Sequence, residues 1–304
     1  MVKNIEKIRR DELRMPPEEI IISITNRLPS IAKSIVSQSQ DLTEEKNRFF
    51  FDNPDDPKEH MPKWHQWGII THTKMSEKSY REEVPKYLNQ WGILNKVKLE
   101  TSEKIDNISK DQLLRIAILF HDLGKFSKRK LKYKENTPVS FSYKNHEIAS
   151  GKIIRDVKFS EMLKQEYSLT NAQIEYVARC AELHSELDLI RSKGKKSDTG
   201  YNFTFVNSDL FNKYVEQFCL QHPSYQMEIG LIFFVDSLSK TEIRIEARTD
   251  QEVETKNQSI KRLLQKRGLN SELIEAVKQL PISFSVAEKY LRYWADRNNM
   301  HENT

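Results

Sequence analysis

At 304 residues, with 38% hydrophobic content and a mean hydropathy of −0.69, the chain suits one large soluble helical domain or a domain with an appended subdomain. Its 8 glycines and 10 prolines are about half of ordinary usage, which favours long helices over turn-rich sheets. No apolar run approaches the ~20 residues of a membrane span, and the 2 cysteines, the mixed-charge N-terminus and the net charge of +5 fit a cytoplasmic protein open to anionic substrates rather than one that coats nucleic acid.

In chain order, residues 17–40 read as an amphipathic helix whose face carries Ile20, Ile21, Ile24, Leu28, Ile31 and Ile35, either core or a homodimer face. Residues 43–63 are charged and contain three prolines, which reads as a connecting loop. Helical signals resume near Trp64 and continue to about Trp91. Ser109 and Gln112 form a capping box ahead of a strongly apolar helix, Thr170 and Gln173 another ahead of a helix to Ile190, and Ser285 and Glu288 a third. Residues 191–209 read as a flexible basic loop with a short extended piece at Phe203–Val206 and, at 191–196, a candidate lid. Beyond about residue 245 the chain becomes very charged and yields two or three short helices. The expected division is 1–63 for an N-terminal helix and loop packed on the core, 64–244 for the chemical domain, and 245–304 for an accessory helical region.

The chemistry concentrates at His121-Asp122-Leu123-Gly124-Lys125, directly after the apolar run Leu113–Phe120. Adjacent imidazole and carboxylate groups at the end of a buried helix cost several kcal/mol unless something pairs with them, and a metal ion does so well. Gly124 is expected to stop the helix, turning the chain so that Lys125 returns over the site. Further ligands should then lie on the inward faces of other helices. His72 falls on a stripe with Ile69, Met75 and Ser79; His146 precedes Ala149, Ile153 and Val157; His184 follows Ile174, Val177, Ala178 and Ala181 at helical spacing. Asp236 ends the nearly all-apolar run from Ile229, where an unpaired carboxylate needs a cation. His65, on the stripe of His72, is a reserve ligand or substrate contact, whereas His60, His222 and His301 read as surface histidines.

The set His72, His121, Asp122, His146, His184 and Asp236 mixes imidazole with carboxylate. That suits one or two divalent transition ions, Mn, Fe, Co or Ni, with Zn or Mg as further options. His72, His121, Asp122 and Asp236 could hold one ion, and Asp122 could bridge to a second held by His146 and His184.

These residues resemble the HD superfamily of metal-dependent phosphohydrolases. Trp64–Thr73 is similar to its His-Thr helix, Leu119–Lys125 to its signature, Tyr143–Ser150 to its downstream His-Glu element, and Val235–Leu238 to its closing aspartate. The stretch 121–190 is most similar to the HD domain of bacterial tRNA nucleotidyltransferases, although no nucleotidyltransferase paired-aspartate motif precedes it. The resemblance implies an all-α bundle with metal at its core and hydrolysis of a phosphate ester of a nucleotide, cyclic nucleotide or short nucleic acid by metal-activated water. It gives Asp122 and Lys125 catalytic parts and puts Lys125 on a substrate phosphate. Lys240, one turn after Asp236, is a second phosphate contact on geometry, and Lys144 and Arg129 complete the basic groups expected around the substrate. Two features depart from the pattern. His184 stands alone where several two-metal members have paired histidines, and the spacing from His72 to His121 implies an insertion near 92–108. The ligand set also resembles HD-type di-iron oxygenases and CRISPR-type HD nucleases, and a regulator that binds ligand at a vestigial site is the non-enzymatic alternative.

Overall fold

The computed structural model describes residues 15–135, 137–193 and 202–301. The fold is all-α, apart from two short antiparallel hairpins at 104–109 and 130–142. Helix α1 (Pro17–Ser39) buries the predicted isoleucine face, so that stripe is core. Residues 43–63 are not a simple loop. Helix α2 (Glu45–Asp52) seats Phe50 in the core, and a 3-10 turn covers Pro57–Glu59.

Helix α3 (Ile69–Glu82) begins later than Trp64 because Asp55 fixes its first turn, accepting from the Thr71 amide at 2.8 Å and the Thr71 hydroxyl at 2.6 Å. Helix α4 (Val84–Gln90) follows, and helix α5 (Leu94–Ser102) and the first hairpin occupy the stretch near 92–108, where an insertion was expected. The Ser109–Gln112 capping box opens α6 (Lys110–Phe120). From Leu113 to Phe120 every residue of α6 is buried, as expected of a helix at the centre of a bundle.

The chain breaks at His121-Asp122 and resumes as α7 (Leu123–Lys128). Gly124 therefore lies inside a helix and does not terminate one. The reason for a glycine is contact: a Cβ there would stand 1.9 Å from the carbonyl oxygen of His146. Helices α8 (His146–Arg155), α9 (Val157–Tyr167) and α10 (Asn171–Glu182) follow, the last opened by the predicted Thr170–Gln173 box. The expected helix to Ile190 is interrupted at Leu183–Ser185 before α11 (Glu186–Lys193).

Phe203–Val206 is a helical turn (α12), not an extended piece, since Asn202 caps it and Phe203 and Val206 are both buried at helical spacing. Half of the candidate lid, residues 194–196, lies outside the described residues. Helices α13 (Asp209–Gln221) and α14 (Gln226–Ser239) complete the central bundle. After α15 (Asp250–Thr255) and α16 (Asn257–Lys266) comes α17 (Ile274–His301), a 28-residue helix where shorter ones were expected. The third capping box falls within it: the Ser285 hydroxyl donates back to the Pro281 carbonyl at 3.2 Å, and Tyr290 and Leu291 press on Gly230 of α14. One hydrophobic core joins residues from Ile20 to Ala295, so the N- and C-terminal portions share it with the middle of the chain. No helix among the described residues is long and apolar enough to cross a membrane.

Candidate metal centre

Five helix ends and faces converge on Asp122, which is 1% exposed. His72 comes from the first turn of α3, His121 from the break after α6, His146 from the first residue of α8, His184 from the break after α10, and Asp236 from α14. The helix interruptions have a local cause. His121 Nδ1 donates to the Ile118 carbonyl at 2.6 Å and His184 Nδ1 to the Ala181 carbonyl at 2.7 Å, each three residues back. Those carbonyls are free because the helix ends there. His146 does the same with Tyr143 at 2.9 Å, and His72 Nδ1 donates to Ser239 at 3.3 Å. Every ring is thereby set in one tautomer, with Nε2 free to act as a ligand.

The Nε2 atoms point at two carboxylates. His72 Nε2 lies 2.9 Å from Asp236 Oδ1 and 3.7 Å from Asp122 Oδ2, and His121 Nε2 lies 3.4 Å from Asp122 Oδ2 and 3.8 Å from Asp236 Oδ1. On the other side, His146 and His184 Nε2 lie 3.2 and 3.8 Å from Asp122 Oδ1 and 3.2 Å from each other. Two groups compatible with a metal result, His72-His121-Asp122 and Asp122-His146-His184, sharing the aspartate. His121 Nε2 and Asp122 Oδ1 are buried without a hydrogen-bond partner. Two imidazole lone pairs aimed at one point, beside a carboxylate oxygen lacking a donor, fit a cation and leave little else to satisfy them.

The electrostatics agree with that fit. Burial would raise the Asp122 carboxyl, but Lys125, His121 and His146 hold it well below the usual carboxylate range. Asp236 is lowered in the same way, against burial, by Lys240, His121 and His72. Burial pushes His184 down to about 3 and holds His72 below its ordinary value. His146 is the exception: burial opposes charge there, yet the Asp122 and Glu147 carboxylates raise it.

A cavity of about 600 Å³ opens onto the centre. Lys125, Lys144 and Lys240 line it, together with His65 and Glu147. Lys125 Nζ donates to Asp122 Oδ2 at 2.7 Å, and Lys240 Nζ lies 3.0 Å from Asp236 Oδ2. Arg129 is corrected. It is buried against Glu59 and stacked over Phe50 and Phe141, so its guanidinium holds the 3-10 turn and the second hairpin rather than facing the cavity. Its place at the head of a lysine-rich run gave no hint of this.

His60 is the second correction. It is fully buried, with Nε2 2.8 Å from Lys125 Nζ and 3.7 Å from Asp122 Oδ2. It stands among charged residues and prolines with no helical period around it, which is why the sequence pattern passes over it. His222 is half-buried rather than on the surface, and the His301 side chain lies outside the described residues.

Residues 93–220 match the family model of the HD domain. The chain carries an HD domain. The matched span contains His121, Asp122, His146 and His184 but stops short of the resembling stretch 64–240 at both ends. His72 and Asp236 lie outside that span and reach the same cluster through packing, since α3 and α14 lie against each other and bring the two residues together. The C-terminal segment also meets the HD domain's cavity, with Gln279 and Ser283 of α17 on its wall. No curated protein gives a significant match to the chain.

Proposed function

We propose that this chain is a metal-dependent phosphohydrolase that cleaves a phosphate ester of a nucleotide, cyclic nucleotide or short nucleic acid. The observation that carries the reading is Asp122, whose two oxygens face two separate histidine pairs while Lys125 bonds one of them at the cavity edge. His72, His121, Asp122 and Asp236 would hold one divalent ion, and Asp122, His146 and His184 a second. Bound there, such ions supply an activated water near neutral pH and positive charge for the phosphoryl oxygens.

The chain's own residues do the rest. The Nδ1–carbonyl bonds keep the four rings oriented without substrate, so the centre needs little reorganisation during turnover. Lys125, 5% exposed and lining the cavity, sets an ammonium where a phosphoryl oxygen gains charge. Lys144 and Lys240 on the cavity wall favour an anionic substrate.

The test is hydrolysis of bis-p-nitrophenyl phosphate by metal-stripped protein resupplied separately with Mn²⁺, Fe²⁺, Co²⁺, Ni²⁺ and Mg²⁺, beside Asp122→Ala. Metal-dependent turnover that disappears in the variant is expected. Silence with every metal, in protein that binds two irons, would replace this reading with a di-iron oxygenase.

A further inference from the structure

His60 belongs neither to the ligand set nor to the span matched by the HD family, yet it is 0% exposed and touches the centre. Its Nδ1 faces the Trp67 carbonyl at 2.9 Å, and its Nε2 faces the Lys125 ammonium at 2.8 Å. A carbonyl can only accept and an ammonium can only donate, so the partners fix the tautomer: Nδ1 carries the proton and Nε2 the lone pair. The ring has little freedom to leave this arrangement. It stacks on His65, with centroids 3.7 Å apart and planes at 19°, and it follows the 3-10 turn that the buried Glu59–Arg129 pair and the Tyr143 hydroxyl hold in place.

Lys125 has three ammonium hydrogens. One is given to Asp122 Oδ2 at 2.7 Å and one to His60 Nε2 at 2.8 Å. Lys125 also lines the cavity, whereas His60 stands behind it. We infer that His60 is a positioning residue: it takes one ammonium hydrogen so that the remaining N–H of Lys125 faces a phosphoryl oxygen in the cavity. This role rests on the phosphohydrolase reading above. A lysine anchored by Asp122 alone could swing about that single bond, and its charge would be shared among several orientations. The second anchor converts a flexible four-carbon stem into a fixed donor, which is the condition for stabilising charge that develops in a transition state.

The experiment compares His60→Gln, whose amide oxygen can replace Nε2 as acceptor, with His60→Leu, which fills space without accepting. Each is made alone and with Lys125→Met, and metal content is measured in all. With bis-p-nitrophenyl phosphate, His60→Leu should lower kcat by about 10- to 100-fold, with KM changed far less and metal content retained. His60→Gln should recover most of the loss, and in the Lys125→Met background His60→Leu should have no further effect. A second readout needs no metal and no turnover. In the metal-free protein, Lys125→Met should move the His60 Nε2 nitrogen resonance while leaving Nδ1 protonated. Equal kcat for the two His60 variants, additive losses with Lys125→Met, or an unmoved Nε2 resonance would each overturn the positioning role. Wild-type protein that hydrolyses nothing with any metal would overturn the phosphohydrolase reading as well, and the nitrogen resonance separates that failure from the absence of the His60–Lys125 bond.

Discussion

Asp122 turns one oxygen to His146 and His184 and the other to His72, His121 and Lys125. Its loss should therefore empty both halves of the centre, whereas His184→Ala should affect one half. Metal analysis after reconstitution should give close to none for Asp122→Ala and about half the wild-type content for His184→Ala; equal losses in both would contradict the two-group arrangement. The six residues that meet at this centre were legible in the sequence, because each sets a polar side chain against an apolar helical pattern or in the His-Asp pair. His60 was not, since it sits where no periodicity exists to mark an inward face. Arg129 misled for the opposite reason: a basic run suggests solvent or substrate, and nothing local announces Glu59, 70 residues away, as its partner.

At the scale of elements, the contact between α7 and α8 controls the site. Gly124 packs against His146, and the Ser150 hydroxyl accepts from the Gly124 amide at 2.8 Å and donates to the His121 carbonyl at 2.6 Å. Gly124→Ala should push α8 outward and carry His146 with it. A loss of about 1–3 kcal/mol by denaturant titration is expected for such overpacking, together with loss of metal from the His146–His184 half before the other. Ser150→Ala should cost about 1–3 kcal/mol by leaving a buried amide without its partner; an unchanged midpoint would show that the amide finds another. The capping boxes at Ser109 and Thr170 marked real helix starts, because their side chains meet orphan amides of the same segment. The box at Ser285 marked none. There the packing of Tyr290 and Leu291 on α14 extends the helix through the local signal, and such tertiary contacts leave no trace in a four-residue motif.

At the scale of the molecule, burial holds His60, His65, His72, His184 and His222 below their ordinary range, while among the described residues only His146 is a raised histidine. A histidine depressed in the folded state binds its proton mainly after unfolding, so its contribution to stability is complete above the unfolded value near 6.5 and is lost as pH falls. Metal-free protein should accordingly weaken between about pH 6.5 and 5, by up to about 1.4 kcal/mol per pH unit for each depressed histidine, whereas the contribution of His146, raised in the folded state, is complete below about 6.5 and is lost only as pH rises. Melting temperatures measured across that window would check it; a flat profile would mean that water reaches these rings. The all-α class and the central bundle followed from low glycine and proline content and helical periodicity. The reach of α17 to the cavity wall did not, because a highly charged segment gives little sign of which face it buries.

His72 and Asp236 are 164 positions apart along the chain, yet their side chains meet at 2.9 Å. An ion held by both would act as a cross-link closing most of the polypeptide into a ring. In polymer terms, a tie across so long a loop removes conformations chiefly from the unfolded chain, by an amount comparable to a long-range disulfide, roughly 4–5 kcal/mol. Loading the centre should therefore slow global unfolding as well as stiffen the cavity, making the metal a structural fastener for the entire chain.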